Sequence, residues 1–507
     1  MIDSTGLRLA CATAALGLAA AMTTMPALAQ TDGGTLTIAI EGDLTGFDPL
    51  EARVFGQAGS TVASTILEPL VRWNYDTDQP EPQLATEWTE SDDHLTWTFK
   101  LREGVKFHDG SDFTAEDVVH HYARLLDPEN KYRGRDKMSS ITDVRAVDDH
   151  TVEFTLDRPW AAMLPLMSDS GINGPIPSSD AIEAGTHNRH PIGTGPFKFV
   201  DWQSGDRITV ERFDDYWDAG NIHLDRVEYK VLPDTQTRFA SLKSGETDVI
   251  WTDRGPTIVE AQNDPSIQTM FSDGAGASTI LINQREAPLD DINVRSAIAH
   301  AWNQAALVKI SYSDTRPVVE HMLGRDCGDV GYKAFDMAKA KELVAAHGEP
   351  IQVELMHTTT PQGREMGELM QQLLAGAGIE LTLKPVDRTT LIRNVFKREF
   401  QLAGWRMGGD PDMGALLLSA TNSDSEYNLT GYDNPDLDAL GKEMRVAPTR
   451  EERVEMQCEM AKLINEEVGQ LYMGGGRYWA FANQNVKNLG KPYNGVIDPS
   501  RAWLEQQ

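Results

Sequence analysis

The chain has 507 residues, enough for two or three domains with ample apolar interior. Its composition, 40% apolar and 24% charged, is that of an ordinary soluble globular protein. With 77 Asp and Glu against 46 Lys and Arg the formal net charge is −31, which argues against nucleic acid or an anionic membrane as a partner, since both need clustered Lys and Arg.

The N-terminus differs in kind from the rest. Leu9 to Met22 is an uninterrupted weakly apolar run, preceded by Arg8 and followed by Pro26 and Ala27-Leu28-Ala29. It reads as a secretory signal cleaved after Ala29, too short to span a bilayer. The expected mature chain is soluble, starts near Gln30 and resides in the periplasm. Cys11 leaves with the signal, and Arg8 stands where a lipoprotein anchor needs a small or aliphatic residue. Cys327 and Cys458 remain, and the sequence leaves open whether they pair or are core residues.

Residues 35–40, TLTIAI, form a short buried-type strand, followed by a helix over 61–70 and a strand over 71–73. Residues 74–160 are rich in hairpins. From Leu95 to Leu101 apolar residues alternate with Thr96, Thr98 and Lys100, the period of a half-buried strand. Thr114 and Asp117 have the spacing of a capping box, opening a helix through Val118, Val119 and Tyr122. A strand over 151–156 follows, and GINGPIPSSD, from residue 171, marks a crossing between domains.

Two alternating strands, 195–202 and 207–213, flank the turn 203–206, and a strand, helix, strand order over 226–232, 235–242 and 248–251 is βαβ-like. Beyond Ser278 the chain becomes a regular α/β series: helices over 294–310, 337–346, 363–374, 391–396, 434–444 and 450–464, with strands over 351–356, 379–385 and 400–405.

Catalytic motifs are missing from this pattern. The chain contains no G-x-S-x-G, H-E-x-x-H, C-x-x-C or G-x-x-x-x-G-K-[ST], so a periplasmic hydrolase is only a remote alternative. His108, Asp109, His120 and His121 fit no metal spacing and read as turn and helix residues. No cofactor or metal is expected.

Several ordered words carry a family resemblance: EWTESDDHLTWTFKLREGVKFHDG and FTAEDVV within 84–127, PIGTGPFKF at 191–199, SGETDV at 244–249, VRSAIAHAWNQAALV at 294–308, AKAKELVAAHG at 338–348 and GYDNPDLDAL at 431–440. Together they resemble the family 5 extracellular solute-binding proteins, the peptide, nickel and oligosaccharide receptors of bacterial ABC importers. The resemblance runs from about Leu36 to the C-terminus. It implies an α/β, two-lobed periplasmic-binding-protein fold with an inserted accessory domain (type II, cluster C-like). Mapped here, lobe one comprises 30–72, 188–275 and 483–507, the inserted domain 73–187 and lobe two 276–482. The implied role is capture of a short peptide or peptide-like solute for a membrane permease, by a monomer with no enzyme activity. The alternative cargo is an oligosaccharide, an opine-like conjugate or a metal chelate.

The segment QLAGWRMGGDPDMG, 401–414, is the main candidate for ligand contact: a strand running into a Gly-rich loop that backbone or ligand can approach closely. In peptide-binding members a Trp ends the corresponding strand, and an acidic residue three positions later pairs with the peptide amine. Trp405 matches the Trp, but the third position is Gly408, so Arg406 and Asp410 are the remaining polar candidates on the loop. By position in the family, Trp251 and Asp253 line the cleft from lobe one, and Phe55 and Gln57 lie at a similar crossing. Arg364 and Arg393 are candidates for a ligand carboxylate, and Tyr427 offers an aromatic face.

Overall fold

The computed structural model of the chain describes residues 32–51, 57–132, 134–168 and 174–505; the segment read as a signal, 1–29, lies outside them. Ten strands form one mixed sheet in the spatial order Phe197–Gln203, Arg207–Arg212, Arg226–Val231, Thr35–Ile40, Val249–Trp251, Gln470–Asn483, Ile267–Ile282, Leu402–Met407, Ile351–Thr358 and Ile379–Val386. Its two halves serve different interiors. Leu36, Ile38, Val227, Tyr229 and Val249 share one core with Val62 and Ile66 of helix Gln57–Ile66. Ile280, Val353, Leu381 and Leu402 share a second core with Ile298, Met370 and Leu374 of helices Ile292–Ala301 and Pro361–Ala377.

Strands Ile267–Ile282 and Gln470–Asn483 run from one core to the other. Ile267 and Phe481 pack beside Ala39 and Ile250 at one end, while Ile280 and Leu471 pack in the second core. Ala480 and Ala482 belong to the first core, so the strand starting at Gln470 reaches from one core into the other. The antiparallel register slips at the crossing, from Gly274 opposite Gly476 to Ala277 opposite Gly475. Gly276 there has φ +92°, and a Cβ on it would strike the Met407 carbonyl. A side chain would push the crossing strand off its neighbour. Such an interrupted ladder between two packed bodies is where a hinge rotation is absorbed.

The accessory domain has its own core of Leu84, Trp97, Phe99, Phe113, Val118, Tyr122 and Phe154. It is built from the four-stranded sheet Ala85–Glu90, Thr96–Leu101, Thr151–Leu156, Ile141–Asp148 and helix Ala115–Leu126. Trp97, Phe99 and Leu101 turn inward together because alternate strand residues share a face. Thr114 opens the helix with its backbone N–H donated to Asp117 Oδ2 at 3.0 Å.

Buried polar contacts fix this domain to the first lobe. The Glu68 carboxylate accepts from Gln83, from Thr194 and Tyr216 at 2.8 Å each, and from Trp217 at 3.2 Å. Burial raises its pKa even so. Asp48 receives a two-pronged bond from Arg124, at 2.9 and 2.6 Å.

Three local features differ from the sequence expectation or resolve it. The helix expected over 294–310 is two helices, Ile292–Ala301 and Gln304–Ser311. It breaks because the Trp302 indole donates to the Tyr472 carbonyl at 2.7 Å and Asn303 caps the second helix, accepting from the Ala306 N–H at 2.9 Å. The helix expected over 61–70 stops at Ile66, since Glu68 and Pro69 pair as a strand with Pro175–Ile176. Cys327 and Cys458 are joined in a disulfide.

Candidate ligand-binding cleft

Strands from both halves of the sheet deliver charged residues to one gap. Thr35–Ile40 is followed by Glu41, Val249–Trp251 leads to Asp253, Leu402–Met407 carries Arg406 near its end, and Ile379–Val386 leads into Arg388, the first residue of helix Arg388–Phe396. The carboxyl ends of parallel strands form the crevice in which open α/β sheets bind ligands.

The charges at these strand ends act on one another. Burial raises the Glu41 pKa, Asp253 on its own side adds to the rise, and Arg238, Arg406 and Arg388 oppose it. Burial works against the charge on Arg406, but Tyr478, Asp253 and Glu41 outweigh it and hold the guanidinium above its ordinary value. Its guanidinium carbon lies 5.6 Å from the Tyr478 ring centre. Glu41 and Arg406 both retain solvent-exposed surface. A solute can therefore reach both charges. Among the described residues, neither Arg406 nor Arg388 has a carboxylate in ion-pair contact.

The other candidates fall into three groups. Asp253 pairs with Arg316 at 3.2 Å, and Arg316 also donates to Ser278 Oγ at 3.0 Å. Trp251, two residues before Asp253, is buried, its indole N–H without an acceptor among the described residues and its ring 5.9 Å from the Arg238 guanidinium. Trp251, Asp253 and Arg238 belong with the first half of the sheet, and Arg316 reaches Asp253 from the second.

Trp405 is half-buried, with the Phe396 ring edge-on at 6.1 Å; Phe396 meets Tyr427 edge-on at 5.8 Å. Phe396 and Tyr427 keep 43% and 38% of their surface exposed, so the three rings make an accessible apolar ledge on the second lobe.

The remaining candidates are engaged elsewhere. Asp410 pairs with Lys137 of the accessory domain at 3.1 Å. Asp412, two residues on, is buried with Arg453 at 2.6 and 3.1 Å. Arg364 donates to the Thr359 carbonyl just ahead of its helix at 2.8 Å, and Arg393 to Thr390 Oγ1 of its own helix at 3.4 Å. Gln57 lies against Gly495. Phe55 is outside the described residues.

Glu41, Arg388 and Arg316 were not singled out from sequence. Glu41 left a signal, a carboxylate directly after the apolar strand TIAI. Arg388 opens the helix that carries Arg393. Arg316 left none, because its partner Asp253 is remote in sequence. Among the described residues, no group of three or more His, Cys, Asp or Glu is arranged to hold a metal ion.

Two lobes joined by crossing strands, with charged strand ends facing across the gap, define the periplasmic-binding fold. Residues 79–428 match the bacterial extracellular solute-binding proteins, family 5 middle, and the chain belongs to that family. It is 27% identical to the dipeptide-binding protein of Escherichia coli (strain K12), over 96% of each chain. It is 29% identical to the glutathione-binding protein GsiB of Pectobacterium atrosepticum, over 84% of each. The crystal structure of the ABC transporter substrate-binding protein CtaP from Listeria monocytogenes superposes with a TM-score of 0.83 at 25% identity, covering 94% of this chain and all of that one. The protein is thus a solute-binding component of the ABC-importer type.

Proposed function

We propose that the chain captures a short peptide or peptide-like solute bearing a carboxylate, closes its lobes on it and delivers it to the membrane permease of an ABC importer. The observation that carries this reading is the opposition of Glu41 and Asp253 on one wall to Arg406 and Arg388 on the other. A solute with charge of both signs bridges the walls only when the gap is closed, and so draws the population to the closed form. The Trp405, Phe396 and Tyr427 ledge supplies apolar contact beside the charges. Names of the relatives, dipeptide-binding and glutathione-binding, support this cargo class.

In this reading residues 1–29 are a cleaved signal and the mature protein is a periplasmic monomer that neither catalyses a reaction nor binds nucleic acid. Lobe one is assembled from 30–72, 188–275 and 483–507, the accessory domain is 73–187 and lobe two is 276–482. One observation favours a second cargo, a solute without a free amine such as an opine-like conjugate: Asp410 is already taken by Lys137.

A thermal-shift panel of di- to hexapeptides, glutathione, opine-like conjugates, oligosaccharides and metal chelates tests the reading. Ligand at a hundred times its dissociation constant stabilises by about 2.7 kcal/mol. Stabilisation by peptides or glutathione is expected; stabilisation by sugars or chelates alone, or turnover of the bound solute, contradicts it.

A further inference from the structure

We propose that the accessory domain latches the ligand loop: Lys137 and Asp78 hold loop 408–413 in place when the lobes are closed. The inference rests on the solute-capture reading above, because that loop continues directly from Trp405 and Arg406.

Two ion pairs make the latch. Lys137 Nζ lies 3.1 Å from Asp410 Oδ2. Arg450 of the second lobe donates to both Asp78 carboxylate oxygens, at 2.7 and 2.8 Å, and to the Pro411 carbonyl at 3.1 Å. A single guanidinium therefore ties the accessory-domain turn to the backbone of the loop. Its carbon also lies 4.7 Å over the Trp73 ring. Around Lys137 and Asp410, Trp160, Pro165 and Leu166 face Pro411 and Ala415 across a narrow gap.

Local preference opposes Arg450 but not Asp78. Arg450 is the first residue of helix Arg450–Glu467, where the helix dipole disfavours a cation. Asp78 has φ +54°, a left-handed turn conformation that Asp adopts more readily than most residues with a side chain. Arg450 therefore serves the contact rather than its own helix, while Asp78 serves both, since its carboxylate also accepts from the Trp73 indole of its own hairpin at 3.2 Å. The turn carrying Asp78 is braced from the first lobe, by Lys491 on Asp76 at 2.6 Å and by Tyr75 stacked on Tyr493 at 4.8 Å.

Glu68 and Asp48 fix the accessory domain to the first lobe, so the two move as one body. Rotation at the 274–277 crossing would carry Lys137 and Asp78 away from the second lobe without breaking a core. The two pairs thus belong to the closed arrangement, and Lys137, Asp78 and Arg450 are positioning residues for the cleft.

Hydrogen exchange read by mass spectrometry on the full mature chain tests this, with Asp78→Asn, Lys137→Met, the double variant and Lys137→Arg. The double variant is expected to exchange about tenfold faster at 75–80 and 408–415 only, the sum expected of two partly exposed pairs. Salt of about 0.5 M should do the same to the wild type, and Lys137→Arg should behave as wild type. Unchanged exchange overturns the latch; so does faster exchange throughout, including helix Gln57–Ile66, because the pairs would then be structural. In parallel, each protein is titrated with reduced glutathione and with a Met-Leu dipeptide. A probe that binds should dissociate about fivefold faster from the double variant, and equal dissociation also overturns the latch. If neither probe binds the wild type, the cargo reading fails while the exchange comparison still decides the latch.

Discussion

Asp253, just past a first-lobe strand, lies 3.2 Å from Arg316, which follows helix Gln304–Ser311 of the second core. The pair spans the lobes beside the crossing strands, where Gly274 faces Gly476. Arg316 is 5% exposed, whereas Asp253 keeps more contact with water. This asymmetry sets the outcome of substitution.

Asp253→Asn leaves a buried guanidinium without its counter-charge and should destabilise the protein by about 1–3 kcal/mol. Arg316→Met should cost less, because Asp253 can rehydrate. Urea unfolding of the two variants measures the difference, and an equal or reversed order would contradict the assignment.

Glu41 should be a stability cost retained for binding. Its folded pKa is raised above 4.5, chiefly by burial and then by Asp253. A carboxyl raised in the folded state burdens that state when ionised; the burden is absent below the unfolded value and fully present above the folded one. Glu41→Gln should therefore raise the melting temperature at pH 7 while weakening binding of amine-bearing solutes. Calorimetric scans and titrations at pH 7 read both effects.

Two buried histidines should make the protein acid-sensitive. Burial pushes His108 and His187 down to about 4 from 6.5. His108 accepts from the Gly193 N–H at 3.4 Å and bonds the Gly195 carbonyl at 2.9 Å through its other ring nitrogen, where accessory domain meets first lobe. A depressed histidine contributes stability that is complete above the unfolded value and is lost as pH falls towards the folded one. Stability should thus decline from pH 6.5 to 4, by at most about 1.4 kcal/mol per pH unit for each group. His108→Gln should flatten the profile in urea titrations across that range.

The Cys327–Cys458 bond closes a sequence separation of 131 residues. Constraint of the unfolded chain over such a loop is worth up to about 5 kcal/mol. Reduction, or the paired Cys327→Ser and Cys458→Ser change, should lower the melting temperature in differential scanning calorimetry without altering solute affinity, since neither cysteine is among the cleft residues.

Elements with a local period were legible from the amino-acid order. Alternation at Trp97, Phe99 and Leu101 and the Thr114–Asp117 cap each reappear in the fold. The long strand Gln470–Asn483 was not, because its MGGG centre lacks any period and its two ends serve different cores. Of the residues in the proposed cleft, Arg406 and Asp253 come from words with a family pattern, whereas Arg316 and Arg388 are brought to it only by tertiary approach. Asp410 illustrates the limit, since its Lys137 partner lies in a separate domain.

The most direct test of solute capture between the lobes is native mass spectrometry of the protein isolated from its own periplasm, compared with a variant carrying both Glu41→Gln and Arg406→Met. The account predicts one small carboxylate-bearing solute bound to the wild type and absent from the variant. A solute held equally by both proteins would contradict it.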